Sequence, residues 1–165
     1  MDTGKEIYFY NQNKDFGFLS NFYMSNFTDP KTDITYCCSE QYFMHQKCLT
    51  FDPTNKSLIK KILDSDSPSA IKKYGRNIKN YDDEIWSEKR FKIMKKGLLL
   101  KFNKQSLKNK LLSTGDKKLY EASPYDKIWG TGVSVENSQH ADKEKFGQNL
   151  LGKCLMKVRA NLSEF

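Results

Sequence analysis

A glutamate and a lysine stand seven positions apart in the segment SEQYFMHQK, residues 39–47. Two turns of an α-helix span about 7.2 residues, so Glu40 and Lys47 share one stripe if this segment is helical. Phe43 and Met44 lie between them on that stripe. Opposite charges held on one largely apolar face are unusual, because buried charges without partners are rare.

The opposite side of the segment carries Tyr42 and Leu49, and a helix that is apolar nearly all round is typical of a buried element. Its charges are then enclosed, and a gap of roughly 10 Å between the two heads along the axis leaves room for a substrate. A structural interpretation stays open as well. In that interpretation Glu40 caps the helix after Ser39, and Lys47 extends to solvent.

A second candidate lies in the loop ASPYDKIWG, residues 122–130, after a predicted strand. Asp126 and Trp129 are bracketed there by Pro124 and Gly130, which indicates a fixed backbone. A positioned carboxylate beside an aromatic plane can activate water next to a stacked base or nucleoside. The alternative is that Asp126 satisfies the backbone of its own turn and Trp129 anchors the core.

Metal and thiol chemistry have little support. Cys37, Cys38, His45 and Cys48 lie close in sequence, but their spacing matches no usual zinc motif, and His140 has no ligand-like neighbours. The four cysteines form no regular disulfide framework, which fits a reducing compartment. We predict no metal, no cofactor and a cytoplasmic location.

Length and charge narrow the class of protein. The chain has 165 residues, of which 38% are hydrophobic, and we expect one domain over residues 1–165 with a real core. It has no apolar run long enough for a signal peptide or a membrane span, so no membrane partner is expected. A net charge of +8 favours an anionic partner, either nucleic acid or a phosphorylated small molecule.

The hydrophobic pattern predicts a mostly helical chain with a few short strands. Ser39 is the expected N-cap of the first helix, Pro68 begins a later one, and Arg90 stands inside the apolar stripe of the longest. Strands are predicted at 6–10, 33–38 and 117–122, and helices at 39–50, 55–66, 67–75, 83–103, 105–113 and 147–163. Residues 137–145 are predicted to be a solvated connection.

Several segments, in order, resemble the motifs of the NADAR family, and together they span nearly the whole chain. They are GFLSNF (17–22), SEQYFMHQK (39–47), YGRNI (74–78), the W-x3-R-x3-M run (86–94), LLSTGDKKLYEASPYDKIWGTG (111–132) and GQNLLGKCLMKVR (147–159). Gln41 stands where many members have a histidine after the motif glutamate.

This resemblance implies a compact α+β fold, largely helical around a small sheet, and an enzyme that cleaves the bond between ribose C1 and a base nitrogen. Two substrate classes belong to the family: ADP-ribose on guanine in nucleic acid, and phosphorylated ribosyl-pyrimidine intermediates of riboflavin biosynthesis. The positive charge favours the first, because neutralised phosphates strengthen binding through counterion release. A non-catalytic module that binds ADP-ribose or nucleic acid is the third alternative.

The resemblance also assigns residues to roles. Glu40, Lys47 and Asp126 match the positions expected to be catalytic. The positions expected to contact substrate are Trp129, Ser20, Asn21, Arg76, Arg90 and Asn149. In one route Lys47 forms a Schiff base at the sugar C1, which requires a neutral amine, and burial lowers a lysine pKa in that direction. In the other route a carboxylate activates water directly.

Overall fold

The computed structural model of the protein describes residues 1–164. Within them the chain forms four short strands and seven α-helices. The strands are β1 (Glu6–Phe9), β2 (Phe27–Asp29), β3 (Ile34–Tyr36) and β4 (Lys118–Glu121). The helices are α1 (Ser39–Phe51), α2 (Lys56–Asp64), α3 (Pro68–Gly75), α4 (Asp83–Phe102), α5 (Gln105–Leu112), α6 (Val135–Ser138) and α7 (Leu150–Ser163). The prediction of a largely helical α+β fold is confirmed.

Two predicted helix boundaries were wrong, and one strand was missed. The residue before α1 is Cys38, in extended conformation and without a side-chain capping bond, so Ser39 is the first helical residue and not the cap. Helix α7 begins at Leu150 and not at 147, because Asn149 has a left-handed backbone with φ 49°. Strand β2 was not predicted at all, since three residues carry too short an alternation to be recognised.

Residues Met24–Lys101 form one compact unit with α1 at its centre. Helix α1 packs against α2 and α3. A Cβ on Gly75 would lie 2.1 Å from the sulfur of Met44, and a Cβ on Gly97 would lie 2.5 Å from the ring of Tyr42. Both glycines therefore permit a close approach to α1, and a larger residue at either position would require the facing side chain on α1 to move. Most of α1 is buried as predicted, but Leu49 is 41% exposed, so the helix has one wet edge.

Gln41 ties the start of α1 to the end of α2. Its side-chain oxygen accepts a hydrogen bond from the Cys37 amide at 2.7 Å. Its side-chain nitrogen lies 2.9–3.0 Å from the carbonyl oxygens of Ile62, Leu63 and Ser65. These carbonyls are at the end of a helix, where backbone acceptors lack intrahelical partners. The residue that departs from the common histidine is thus an anchor for the helix that carries Glu40 and Lys47.

The second compact unit contains Met1–Tyr23 and the chain from Phe102 onward. Strands β1 and β4 pair in parallel there, with Tyr8 opposite Tyr120 and their rings stacked at 5.1 Å. Helix α7 packs on β4, and α5 packs on α7. Strands β2 and β3 pair antiparallel in the other unit. The predicted small sheet is therefore two separate two-stranded sheets, and the assignment of residues 1–165 to one domain stays a prediction.

Among the described residues, no helix has both the length and the apolar character needed to cross a bilayer. The four cysteines are free thiols.

Candidate functional site

Lys47 is the centre of a small aromatic site in the first unit. The side chain is half-buried, and its Nζ lies 4.5 Å from the ring centroid of Tyr81 and 6.0 Å from that of Trp86. Cations are attracted to aromatic faces within about 6 Å. Burial lowers the pKa of the Lys47 ammonium, and the charge of Glu40 works in the opposite direction. The net direction is down, so burial outweighs the carboxylate.

Glu40 is buried, with 7% of its surface exposed, in the first turn of α1. A carboxylate is favoured there because the backbone N–H groups of a helix start carry partial positive charge. Its electrostatic effect on Lys47 shows that the two groups interact across the helix face. The expectation that Glu40 is enclosed is confirmed, and Lys47 is enclosed in part.

The walls around the Lys47 amine come from α1 and from the segment that leads into α4. Trp86 packs against Phe43 at 5.1 Å and against Phe51 at 5.9 Å between ring centroids. Sequence reasoning missed Tyr81 altogether. It stands in the connection before α4, outside any periodic pattern. Its possible role is recognised only from its neighbours in the folded structure, which are Lys47 and Phe51.

The two arginines predicted to contact substrate differ in their burial. Arg90 is half-buried, and its Nε is buried without a hydrogen-bond partner among the described residues. Its charge acts on Tyr81, which places the guanidinium near the aromatic site. A buried donor without a partner is costly, and the guanidinium that carries it is the kind of cation that phosphate groups favour. Arg76 is exposed at the end of α3, where its backbone N–H donates to the carbonyls of Lys73 and Tyr74.

Asp126 and Trp129 lie in the second unit, in a loop with a tightly bonded backbone. One carboxylate oxygen of Asp126 accepts hydrogen bonds from the amides of Ile128 and Trp129, both at 2.8 Å. The carbonyls of Ile128 and Trp129 each accept a bond from the start of α7 at 3.1 Å. This geometry matches the turn-residue interpretation of Asp126. A catalytic part for this carboxylate stays a prediction.

Asn149 joins the same loop region to β4. Its side-chain oxygen accepts a hydrogen bond from the Glu121 amide at 3.0 Å, and its side-chain nitrogen donates to the Leu119 carbonyl at 2.9 Å. The residue is buried. Both ends of the amide are therefore used by the backbone of β4, which is a structural task, and the predicted contact with substrate stays a prediction.

We expect Asn149→Asp to lower the free energy of unfolding by about 2–4 kcal/mol, because the variant replaces a buried donor with an oxygen that faces the Leu119 carbonyl. Urea denaturation followed by circular dichroism measures this. Asn13→Asp, at an exposed position, serves as the matched control and should change stability by less than about 0.5 kcal/mol. Equal stability of Asn149→Asp and the parent protein would contradict the structural task.

Ser20 and Asn21 follow a single-turn 3₁₀ helix at Gly17–Leu19. The Ser20 hydroxyl is buried and accepts a hydrogen bond from the Phe22 amide at 3.1 Å, which shapes the turn. Asn21 is half-buried. Their predicted contact with substrate stays a prediction.

His45 lies on the buried part of α1. The His45 ring is buried and shares a 2.8 Å hydrogen bond with the Tyr36 hydroxyl, and burial lowers its pKa. Across residues 1–164, no three His, Cys, Asp or Glu side chains converge as metal ligands. His45 is a core histidine with a satisfied polar atom.

Lys101 is a second amine that sequence reasoning missed. It belongs to α4, is 1% exposed, and burial lowers its pKa to about 7. Its amine is closer to neutral than an ordinary lysine, but full burial denies a substrate access to it. Lys47, which is half-buried, is the accessible one of the two.

The low pKa of Lys101 predicts a pH-dependent stability. The unfolded lysine keeps its proton up to about pH 10.5, and the folded one releases it near pH 7. Between these values the unfolded chain binds the extra proton, so the free energy of unfolding rises with pH by up to about 1.4 kcal/mol per unit. We expect Lys101→Met to remove this slope between pH 7.5 and 9.5. Lys61→Met, at an exposed position, should keep it, and parallel slopes for all three proteins would contradict the prediction.

Comparison with known proteins agrees with this fold. A sequence model of the NADAR domain matches residues 8–163. A protein named N-glycosidase from Acanthamoeba polyphaga mimivirus is 36% identical, over 96% of this chain and 97% of its own length. A second protein named N-glycosidase, from Nostoc punctiforme, is 31% identical over 94% of this chain and 92% of its own length. A riboflavin biosynthesis protein of Vibrio vulnificus is 32% identical over 96% of this chain, and the match covers 39% of that longer protein.

The NMR structure of the Escherichia coli protein YbiA has the same fold. It superposes with a TM-score of 0.77 at 28% identity and covers 99% of this chain and 88% of that one. The names of the full-length relatives confirm, at the level of the class, the prediction of a hydrolase that acts on N-glycosidic bonds. With the family model spanning nearly all of the sequence, the chain belongs to the NADAR family.

Proposed function

We propose that the protein hydrolyses the bond between a ribose C1 and a base nitrogen, with Lys47 as nucleophile and Glu40 as the acid and base. One observation carries the proposal. The half-buried Lys47 amine lies on an aromatic wall, its pKa is lowered by burial, and a buried carboxylate on the same helix face interacts with it. An amine with a lowered pKa beside an acid is the arrangement that imine chemistry requires.

The proton that Lys47 releases is held by Glu40. The C1–O bond of the ribose ring breaks as the ring oxygen takes that proton, and the neutral Lys47 amine forms a bond to C1. The C1–N bond to the base then breaks as the base takes a proton from the attached Lys47 nitrogen, and a protonated Lys47 imine remains at C1. Water adds to the imine and gives a proton to the Glu40 carboxylate, which passes it to the Lys47 nitrogen. The amine leaves as the C1 hydroxyl becomes a carbonyl and gives its proton back to Glu40, and the sugar closes again. The sum is one N-glycoside plus one water to a free sugar and a free base.

The site must keep enough neutral amine for this chemistry. Glu40 and the aromatic ring of Tyr81 both favour the charged ammonium, whereas burial favours the neutral form. Since burial is the larger effect, the free amine is accessible at neutral pH to a greater extent than on an exposed lysine. Glu40 can then exchange protons with Lys47 close to the reacting carbon.

The substrate that we propose is ADP-ribose linked to guanine in nucleic acid. Its phosphates need cationic partners, and the buried, unpartnered Nε of Arg90 near the aromatic site supplies one. The net charge of +8 supports a polyanionic substrate. The proposal also keeps the roles that the motifs assign. Asp126 is catalytic, and the residues that contact the substrate are Trp129, Ser20, Asn21, Arg76 and Asn149.

A second candidate is a phosphorylated ribosyl-pyrimidine intermediate. The name of the Vibrio vulnificus relative, a riboflavin biosynthesis protein that matches nearly the whole chain, favours it. The same carbon–nitrogen bond is broken in both cases, so the Lys47 chemistry applies to either substrate.

The deciding experiment compares rates on the two substrates. The protein is incubated separately with an oligonucleotide that carries ADP-ribosyl guanine and with ribosylaminopyrimidine phosphate, and released sugar and base are measured by mass spectrometry. A higher kcat/KM on the oligonucleotide supports the proposed substrate, and the reverse order supports the second candidate. Tight binding to the oligonucleotide with no turnover of either substrate would make the protein a binding module.

A trapping experiment tests the covalent route. Borohydride added during turnover reduces an imine to a stable adduct, and peptide mass spectrometry locates it. We expect the adduct on the peptide that contains Lys47. An adduct on Lys101 would mean that the buried lysine becomes accessible and acts instead. Turnover with no adduct would favour direct attack by water.

A further inference from the structure

We propose that Tyr81 is a positioning residue for the Lys47 amine, which it holds as an ammonium ion on its ring face until a substrate competes for that face. The inference rests on the proposed function of Lys47 and adds a residue that the motifs do not assign. The direct observation is the 4.5 Å distance from Nζ to the ring centroid, well inside the range of cation–π attraction.

The ring is held in place on its other sides. Phe51 meets it edge-on, with ring centroids 5.3 Å apart, and the Tyr81 hydroxyl donates a 2.8 Å hydrogen bond to a carboxylate oxygen of Asp83. The chain turns at Asn80, whose φ is 57° and whose side-chain amide donates to the Phe51 carbonyl at 3.4 Å. These contacts hold the connection before α4 against the end of α1, and they fix the ring beside Lys47.

Four charged groups act on Lys47 or on the Tyr81 ring beside it. They are Glu40 on α1, Asp82 just before α4, Asp83 at its first position and Arg90 two turns into it. Glu40 acts on Lys47 directly, whereas the other three act on Tyr81. The two effects that favour the ammonium ion are therefore the carboxylate of Glu40 and the face of Tyr81, against burial.

The position of Tyr81 gives this contact a consequence for catalysis. Tyr81 is 44% exposed, whereas Trp86, the other ring near the amine, is 4% exposed, so a substrate that arrives from solvent can cover the tyrosine ring. A ligand ring that covers Tyr81 removes the cation–π partner and leaves the amine to burial, which favours the neutral nucleophile. The ammonium form is therefore more populated when the site is empty than when a ligand ring covers Tyr81, and occupation makes the amine more reactive.

The test measures the reactivity of Lys47 without any substrate. Tyr81→Leu keeps an apolar side chain but no aromatic face, and Tyr81→Phe keeps the face. Each protein is labelled briefly with a dilute acylating reagent between pH 7 and 10.5, and peptide mass spectrometry gives the rate at Lys47. We expect Tyr81→Leu to label about 3- to 30-fold faster than the parent near pH 7.5, because loss of the cation–π contact releases neutral amine. The ratio should approach one at the alkaline end, where the Lys47 amine, whose pKa is lowered by burial, is mostly neutral in both proteins.

Two internal standards are available in the same digest. Lys61 is exposed, and Lys110 lies 5.9 Å from the Phe18 ring in the other unit. Neither rate should change, and Tyr81→Phe should match the parent at Lys47 within about 2-fold, because the aromatic face remains. Equal Lys47 rates in the parent and Tyr81→Leu would overturn the proposal.

A rate ratio that persists at the alkaline end would also overturn it, because the ring would then act only as a steric shield. Tyr81→Phe decides the matter if Tyr81→Leu folds poorly, since a rate increase in the phenylalanine variant contradicts a role for the ring face. Because no turnover is needed, failure of the proposed glycosidase activity and failure of this inference give separate results.

Discussion

Lys47→Arg is expected to lower kcat/KM by at least about 10³-fold, whichever of the two substrates the protein uses. Arginine keeps the positive charge and most of the length, so it can still rest on the face of Tyr81. It cannot form an imine, because the guanidinium does not give up its proton at accessible pH. Initial rates of base release, measured on folded protein, check the result.

The matched control is Lys61→Arg, which makes the same change at an exposed position on α2 and should retain activity within about 2-fold. Circular dichroism establishes that both variants are folded. Full activity of Lys47→Arg, together with no borohydride adduct in the parent protein, would exclude the covalent route and leave direct hydrolysis by water.

Glu40→Gln is expected to lower the maximal rate by about 10²- to 10³-fold, because the amide can neither donate the proton to the departing group nor take it back. The pH profile carries a second, opposite effect. Glu40 raises the pKa of Lys47, so its neutralisation lets that pKa fall further and the neutral amine persists at lower pH. The acidic limb of the rate profile should therefore move to lower pH while the maximum drops.

Glu84→Gln is the control for this variant, because Glu84 also lies in the first turn of a helix, α4, but is exposed. It tests whether a lost helix-start charge by itself explains the result, and it should leave both the rate and the acidic limb unchanged. An acidic limb that stays in place in Glu40→Gln would mean that Lys47 does not govern it. A rate within about 3-fold of the parent would remove Glu40 from the proton transfers.

Much of the candidate site follows from patterns within single elements. The spacing of Glu40 and Lys47 predicts a shared face on one helix, and the structure has that helix at Ser39–Phe51 with Glu40 buried. Pro68 begins α3 as predicted, and the apolar positions of α7 are in the core. Such predictions succeed because neighbours along a helix are set by its 3.6-residue turn and need no knowledge of the rest of the chain.

Side chains that serve the backbone of a distant segment were not predictable in the same way. Asn149 bonds to residues 28 and 30 positions away, and Gln41 bonds to carbonyls 21 to 24 positions away. Both look like ordinary polar residues beside a motif. Their tasks depend on which helix end or strand lies next to them, and packing decides that.

The sequence alone therefore determined the family, the largely helical α+β class and the acid and amine on one face of α1, because periodicity and ordered motifs are local properties. Only the tertiary structure decided that Tyr81 supplies the surface under the amine, that Arg90 keeps a buried donor without a described partner, and that Lys101 is enclosed. Each of these depends on the burial and the neighbours that a side chain acquires when separate elements pack together. Those contacts, and not the residue types, set the charge and the access of each group.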